Sequence, residues 1–231
     1  KFAQSADVMY ICHPDHEPMK LSRTGHTSWS LNEVDFGTNG PYLDANTTTT
    51  TITPQQAAAA TGKTLTLSAT TGVNNDQGWL TTDVGRIVKF NGGTAKITAR
   101  TNSTVAVATI VDAFTNTDAT APFQLGSFSD TTGFPSSVSF FEQRLVFAAT
   151  NDQPQTIFFS KSGDYENMSA GTNDDDAMVY TIASNQVNAI KSMKATRTLI
   201  VMTTGGEYSV SAGNASAITP TNISIVKQSN Y

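Results

Sequence analysis

Apolar residues come in short runs divided by Ser, Thr, Asn and Gly, a pattern of β-strands rather than helices. The clearest stretch is Gly133 to Tyr165. Ser137–Phe141 and Arg144–Ala149 read as two strands joined by a tight polar turn. Thr150-Asn151-Asp152-Gln153-Pro154 then supplies turn residues, and Thr156–Ser160 is a further apolar run closed by a Ser160-x-x-Gly163 turn. Asp and Asn side chains bond their own backbone and Pro fixes φ, so this loop ends one strand and starts the next.

The order strand, polar loop, strand, Ser/Gly turn recurs. Residues 7–12, the loop His13–Pro18, 19–22 and Gly25 have it, and so do 198–202, the loop Thr203–Gly206, 207–211 and Gly213. A hairpin that cannot bury its own apolar face must stack on its neighbours, as in propellers and solenoids. Trp29, Leu31 and Val34 read as core contributors of a strand ending near Phe36. In 182–193, the spacing suits a bent strand linking the outer strand of one blade to the inner strand of the next. A last alternating strand spans 222–227.

Residues 37–54 break this pattern with Gly37, Gly40, Pro41 and the run Thr47–Thr51, and read as a low-complexity linker. Beyond it, Thr64–Ser68, Arg86–Phe90, Thr94–Ala99 and Val105–Val111 read as strands of a separate module. Asn91-Gly92-Gly93 is a hairpin signal, because its central residues tolerate φ > 0. Trp79 and Leu80 are expected to pack on that sheet; Ala57–Ala60 could form a single helical turn, too short to stand alone. A second polar stretch, 115–122, returns the chain to the main fold, as for an inserted domain. The division is 1–40, the first part of a propeller-like body; 41–127, an inserted small β domain; and 128–231, the continuation of the body. The expected fold class is all-β: a partial β-propeller-like body with an inserted small β-barrel or sandwich.

Composition narrows the class. Of 231 residues, 38% are hydrophobic and only 14% charged, the balance being largely small polar residues, as in extracellular or virion β proteins. No run reaches the ~18 apolar residues of a membrane-spanning helix. The chain opens at Lys1 without Met and stops abruptly at Tyr231, so a portion of a longer chain is expected. Cys12 is the single cysteine, which excludes an internal disulfide and suits a small buried hydrophobe. A net charge of −5 with no basic block argues against tight binding to nucleic acid.

The chemistry found is sparse. No nucleophile elbow, P-loop, H-E-x-x-H or G-x-G-x-x-G occurs. His13 and His16, with carboxylates between them, could ligate a metal, but two prolines make their loop a turn first. Asn173-Asp174-Asp175-Asp176 lacks the spacing of a calcium loop. Glu142, Asp164 and Glu166 are candidate paired carboxylates for glycoside cleavage, and solvated loop acids explain them equally well. No catalytic, cofactor or metal residue is assigned, no cofactor is expected, and the chain reads as a non-enzyme.

Several ordered segments carry a resemblance. They are Phe2 to Tyr10 with His13-Pro14; Gly133-Phe134-Pro135 through Glu142-Gln143-Arg144-Leu145; Gln153 to Ile157 with Ser160 to Tyr165; Asp175-Asp176-Ala177 with Ile182 to Ile190; and Thr204-Gly205-Gly206-Glu207. Together they resemble the tail tubular protein B, or nozzle, family of short-tailed bacteriophages. The resemblance covers roughly 1–36 and 128–231, and 41–127 looks like one of that family's variable insertions. Nozzle chains are long, so this one would supply part of the platform. The resemblance implies a virion tail protein: a ring, hexameric by analogy, that continues the DNA channel, contacts adaptor and fibre proteins, lets DNA pass unbound and inserts in no membrane. The competing reading is a glycan-binding or glycan-cleaving β protein at the host surface, which predicts a pocket lined by aromatics such as Trp29, Trp79 and Tyr165.

Overall fold

The computed structural model describes residues 1–183 and 187–229; Ser184, Asn185 and Gln186 of the motif-bearing segment, and Tyr231, lie outside them. The chain is all-β. It forms two compact units, one of Lys1–Pro41 with Thr132–Tyr231 and one of Tyr42–Thr131. The sequence reading put the borders at 40/41 and 127/128.

The first unit holds, among the described residues, three four-stranded antiparallel meanders. The first blade is β1 (Phe2–Ser5), β2 (Val8–His13), β3 (His16–Gly25) and β4 (Ser28–Glu33). Past the inserted strands β5–β10 described below, the second blade is β11 (Ser137–Phe141), β12 (Arg144–Ala148), β13 (Thr156–Phe159) and β14 (Met178–Thr181). The third is β15 (Ile190–Ala195), β16 (Leu199–Thr203), β17 (Gly206–Ser211) and β18 (Ser224–Lys227). Each blade is paired in simple sequence order. The first strands meet, β11 lying against both β1 and β15, so the blades fan from a shared hub. This is a propeller-like body, and the recurring hairpin read from the sequence is the middle pair of strands in each blade.

Register assigns the faces. Val138, Phe140, Leu145, Phe147 and Phe158 share the face of the second blade that meets the first. There Tyr10 packs edge-on to Phe140 at 6.0 Å and Phe36 to Phe147 at 6.3 Å between ring centroids. The opposite face, with Val146, Ile157, Phe159 and Met178, joins Met193, Val201, Tyr208 and Val210 of the third blade in one core. The central blade is therefore buried on both sides, which is why β12 and β13 read as unbroken apolar runs rather than alternating ones. Truncating a fully buried ring such as Phe158 costs about 3–5 kcal/mol.

The first blade departs from the reading in its last strand. Val34 is buried, but Trp29 is 58% and Leu31 56% exposed, so neither is core. Both lie on β4, the outermost strand, whose residues are all exposed. Alternation shows that they share a face; it cannot show that the face is covered. Cys12 is buried, and burial raises its thiol pKa.

The second unit is a six-stranded antiparallel sheet in the order β10-β7-β8-β9-β6-β5, curled as a half-barrel around its own core. Its strands are β5 (Ile52–Pro54), β6 (Ala60–Leu67), β7 (Ile87–Phe90), β8 (Gly93–Arg100), β9 (Val105–Asp112) and β10 (Gln124–Leu125). Asn91 (φ 44°) and Gly92 (φ 71°) form the turn between β7 and β8. A Cβ on Gly93 would stand 2.6 Å from the Ala113 carbonyl oxygen, which explains the second glycine. Trp79 is fully buried in this core, as expected.

Two expectations are corrected here. Ala57–Ala60 forms no helical turn: Ala60 instead opens β6 and pairs with Ile110, because one isolated turn cannot offset the cost of helix nucleation. The Thr-rich tract is not a slack linker either. Asn46 Nδ2 donates to the Thr50 and Ala121 carbonyls at 2.9 and 3.0 Å, and Thr50 Oγ1 donates to the Thr71 carbonyl at 2.7 Å. Short polar side chains that bond backbone can order a segment of low hydropathy.

Candidate functional site

The most developed polar site in the blade body is a knot around Arg144, at the start of β12. Its guanidinium is buried and donates to carbonyls from two loops. Nη1 reaches Ser160 O at 2.8 Å, Asp176 O at 2.7 Å and Asp175 O at 3.3 Å, and Nη2 reaches Asp174 O at 2.8 Å. Arg presents five donors in a fixed fork, so one residue can hold two strands of irregular backbone. Desolvation lowers the Arg144 pKa, opposed by the nearby acids.

The turn before Arg144 is part of the knot. Glu142 (φ 46°) and Gln143 (φ 59°) both occupy the left-handed region, giving a two-residue hairpin turn without glycine. The Gln143 carbonyl accepts from Gly163 N at 2.8 Å, and Glu142 Oε2 accepts from Ile218 N at 2.7 Å. Ser162 N donates to Asp175 O at 2.9 Å. Lys161 Nζ lies 3.0 Å from Asp175 and 3.5 Å from Asp176. Hydrogen bonding to Asp175 raises the Lys161 pKa, and the Asn173 backbone N–H lowers that of Asp176.

Thus three motif segments, 142–145, 160–165 and 175–177, converge on one point. Beside them opens a cleft of about 500 Å³ lined by Glu142, Arg144, Ser162, Asp174, Asp175 and the 215–222 loop. No aromatic side chain is among its lining residues.

The other candidates from the sequence fall as follows. Glu166 Oε1 accepts from Tyr10 Oη at 3.0 Å and from Lys20 Nζ at 2.5 Å, so it ties the first blade to the second. Burial, more than the Glu166 charge, holds the Tyr10 pKa well above the ordinary range. Asp164 sits in the 161–164 turn, bridged to Lys161 through backbone. Glu142 and Glu166 thus bond to different elements. His13 and His16 face each other across the β2–β3 turn with ring centroids 5.2 Å apart. His13 Nδ1 accepts from Asp15 N at 3.2 Å, and no group of metal-ligating residues assembles among the described residues. Asn173–Asp176 is the turn whose carbonyls Arg144 holds; Asp176 Oδ2 accepts from the Asn173 backbone and side chain at 3.0 and 2.9 Å. Tyr165 packs on Phe140 at 5.0 Å.

Sequence reasoning missed two buried cations. One is Arg144, the first residue of β12, whose acceptors are backbone carbonyls that carry no sequence signature. The other is Arg86 in the inserted unit, fully buried with Asp83, at 2.9 Å from Nη1. Asp83 also accepts from Asn74 Nδ2, Leu80 N and Thr131 Oγ1 at 2.7–2.8 Å. Only the short spacing Asp83-x-x-Arg86 hinted at it.

No protein-family model matches the chain, and no curated protein matches it.

Proposed function

We propose that this chain is a structural component of a bacteriophage tail of the nozzle kind, one segment of a ring that continues the DNA channel. The observation that carries this reading is the convergence of the motif segments on Arg144. The residues that resemble the nozzle family are spent on joining one blade's hairpin to its neighbouring loops, as an architectural motif would be. Further support comes from a blade stack interrupted once by a self-contained module. A net charge of −5 repels the phosphate backbone and suits a conduit through which DNA slides. In this reading copies of the chain form a homo-oligomeric ring, adaptor and fibre proteins contact it, and its role is not enzymatic. The polar cleft beside Arg144 has no aromatic side chain in its lining, whereas the glycan reading required an aromatic-lined pocket.

Antibody against residues 42–131, applied to intact particles and viewed by electron microscopy, tests the proposal. Label along the tail below the head is expected. Label confined to fibre tips, or particles lacking the chain, would refute it.

A further inference from the structure

The turn between β7 and β8 carries more bonds than its geometry requires. Asn91 and Gly92 both take positive φ, the angles of a two-residue hairpin turn, and the ladder ends at the pair Phe90 and Gly93. That geometry needs no side-chain contact. Yet Asn91 is tied to residues 115–118, an exposed segment that belongs to no strand. Its Nδ2 donates to Asn116 Oδ1 at 3.1 Å and to the Asp118 carbonyl at 3.0 Å. Its own carbonyl accepts from Thr115 N at 2.8 Å and from Thr115 Oγ1 at 3.1 Å. The Asn116 amide is oriented in turn, because its Oδ1 also accepts from Asp118 N at 3.0 Å. One asparagine therefore fastens a stretch of irregular chain to the tip of a hairpin.

The same step is chemically fragile. Where glycine follows asparagine, no Cβ hinders attack of the backbone nitrogen on the side chain. Gly92 N bonds to Asn91 Cγ, the Cγ–Nδ2 bond breaks, and Nδ2 leaves as ammonia with the proton that Gly92 N gave up. Water then opens the succinimide at either of its carbonyls, leaving aspartate or isoaspartate. Nothing is oxidised or reduced, and water is the sole co-reactant. Gly92 is exposed and its N–H lies outside the β7–β8 ladder, so base reaches it. The tie to 115–118 opposes the reaction. Both Nδ2 protons are engaged there, and the carboxamide cannot turn its Cγ toward Gly92 N until they are released.

We propose that Asn91 is a latched deamidation site, and that its loss of ammonia releases 115–118 irreversibly. While the latch holds, the amide is kept from the Gly92 nitrogen. Once a carboxylate stands in its place, the latch cannot re-form. Aspartate at 91 has no proton to donate, and it sets acceptor against acceptor at Asn116 Oδ1 and the Asp118 carbonyl. Isoaspartate goes further. Its main chain runs through the former side chain, so the carbonyl that accepts from Thr115 becomes a free carboxylate beside the turn.

The change is confined to the inserted unit, which holds both the hairpin and the released segment. It gives that unit two successive states, fastened and unfastened, with time and alkalinity as the triggers. It does not depend on the tail reading, and its failure would leave that reading untouched. The other Asn-Gly step of the chain, Asn39-Gly40, lies outside this unit and serves as an internal comparison.

Ageing of the 231-residue chain in mildly alkaline buffer, followed by peptide mapping with mass spectrometry, tests this. Conversion at 91 is expected to be first order and to quicken with pH, because Gly92 N must shed its proton. Asn116→Ala removes one of the two Nδ2 acceptors at an exposed position and should leave the circular dichroism spectrum unchanged. It should speed conversion at 91 by about two- to tenfold, the weight of one such hydrogen bond, and leave Asn39 at its parent rate. Ion exchange isolates the converted chain by its added charge. In that chain the Thr115 amide should exchange hydrogen at least about tenfold faster, and Asn91→Asp should move it in the same direction. No conversion at 91 in either chain overturns the proposal, and so does a folded Asn116→Ala chain that converts at the parent rate. Thr115 protection that survives in both the converted chain and Asn91→Asp overturns the release.

Discussion

Replacing Arg144 with Met keeps the length and much of the apolar stem of the side chain but removes every donor. Three short bonds are lost, to Ser160 O, Asp174 O and Asp176 O, with a longer one to Asp175 O. Their exposure sets the magnitude. Ser160 is fully buried, so orphaning its carbonyl costs about 1–3 kcal/mol. Asp174 and Asp175 are exposed, and their carbonyls rehydrate at little net cost. Asp176 lies between these cases. The sum is a loss of about 2–4 kcal/mol from the blade body. At roughly 2–4 °C per kcal/mol for a domain of this size, the melting temperature of that unit should fall by about 5–15 °C. Differential scanning calorimetry measures the shift, and hydrogen exchange locates it. The Ser162 and Gly163 amides, which bond into the knot, should lose protection, while the amides of β8 and β9 should not. A fall under about 1 kcal/mol, or unchanged exchange at 162–163, would show that Arg144 does not hold these loops together.

Asp83→Ala in the inserted unit strands the buried Arg86 guanidinium and removes the acceptor for three further groups; urea unfolding should show a loss of about 3–5 kcal/mol. A loss below about 1 kcal/mol would mean the pair is not buried in solution. Residues 42–131 expressed alone should melt cooperatively, since their core draws only on that unit; a broad, non-cooperative melt would contradict this. The knot should also set a pH window. The Asp176 carboxyl is held below its unfolded value, so its stabilisation is present at neutral pH and is lost as pH falls through the depressed pKa. The Lys161 pKa is raised, so its share is lost as pH rises through that raised value. Melting temperature against pH should therefore drop on the acid side, and an Asp176→Asn variant should flatten that limb; an unchanged acid limb in the variant would refute the assignment.

The central blade was the most legible part of the chain. Strands buried on both faces need continuous apolar runs, and β12 and β13 have them. The hairpin of Asn91 and Gly92 was legible for a different reason, because few residues accept its backbone angles. The outer strand β4 was legible as a strand but not as to burial, since alternation fixes a face and leaves its cover to tertiary structure. Trp29 and Leu31 were misread on that account. The Thr47–Thr51 tract was misread because composition suggested slack, whereas Asn46 and Thr50 order it through side-chain bonds to distant carbonyls. The Arg144 knot was illegible because its acceptors are backbone carbonyls. These carry no sequence signature, and only folding brings 160 and 174–176 to one guanidinium.

A cryo-electron microscopy map of the native particle is the most direct measurement of whether these blades build a tail. The account predicts density for this chain in the wall of a tube below the head, repeated around a cyclic axis. Density that places the chain on a peripheral spike, or as an isolated copy touching no other, would contradict it.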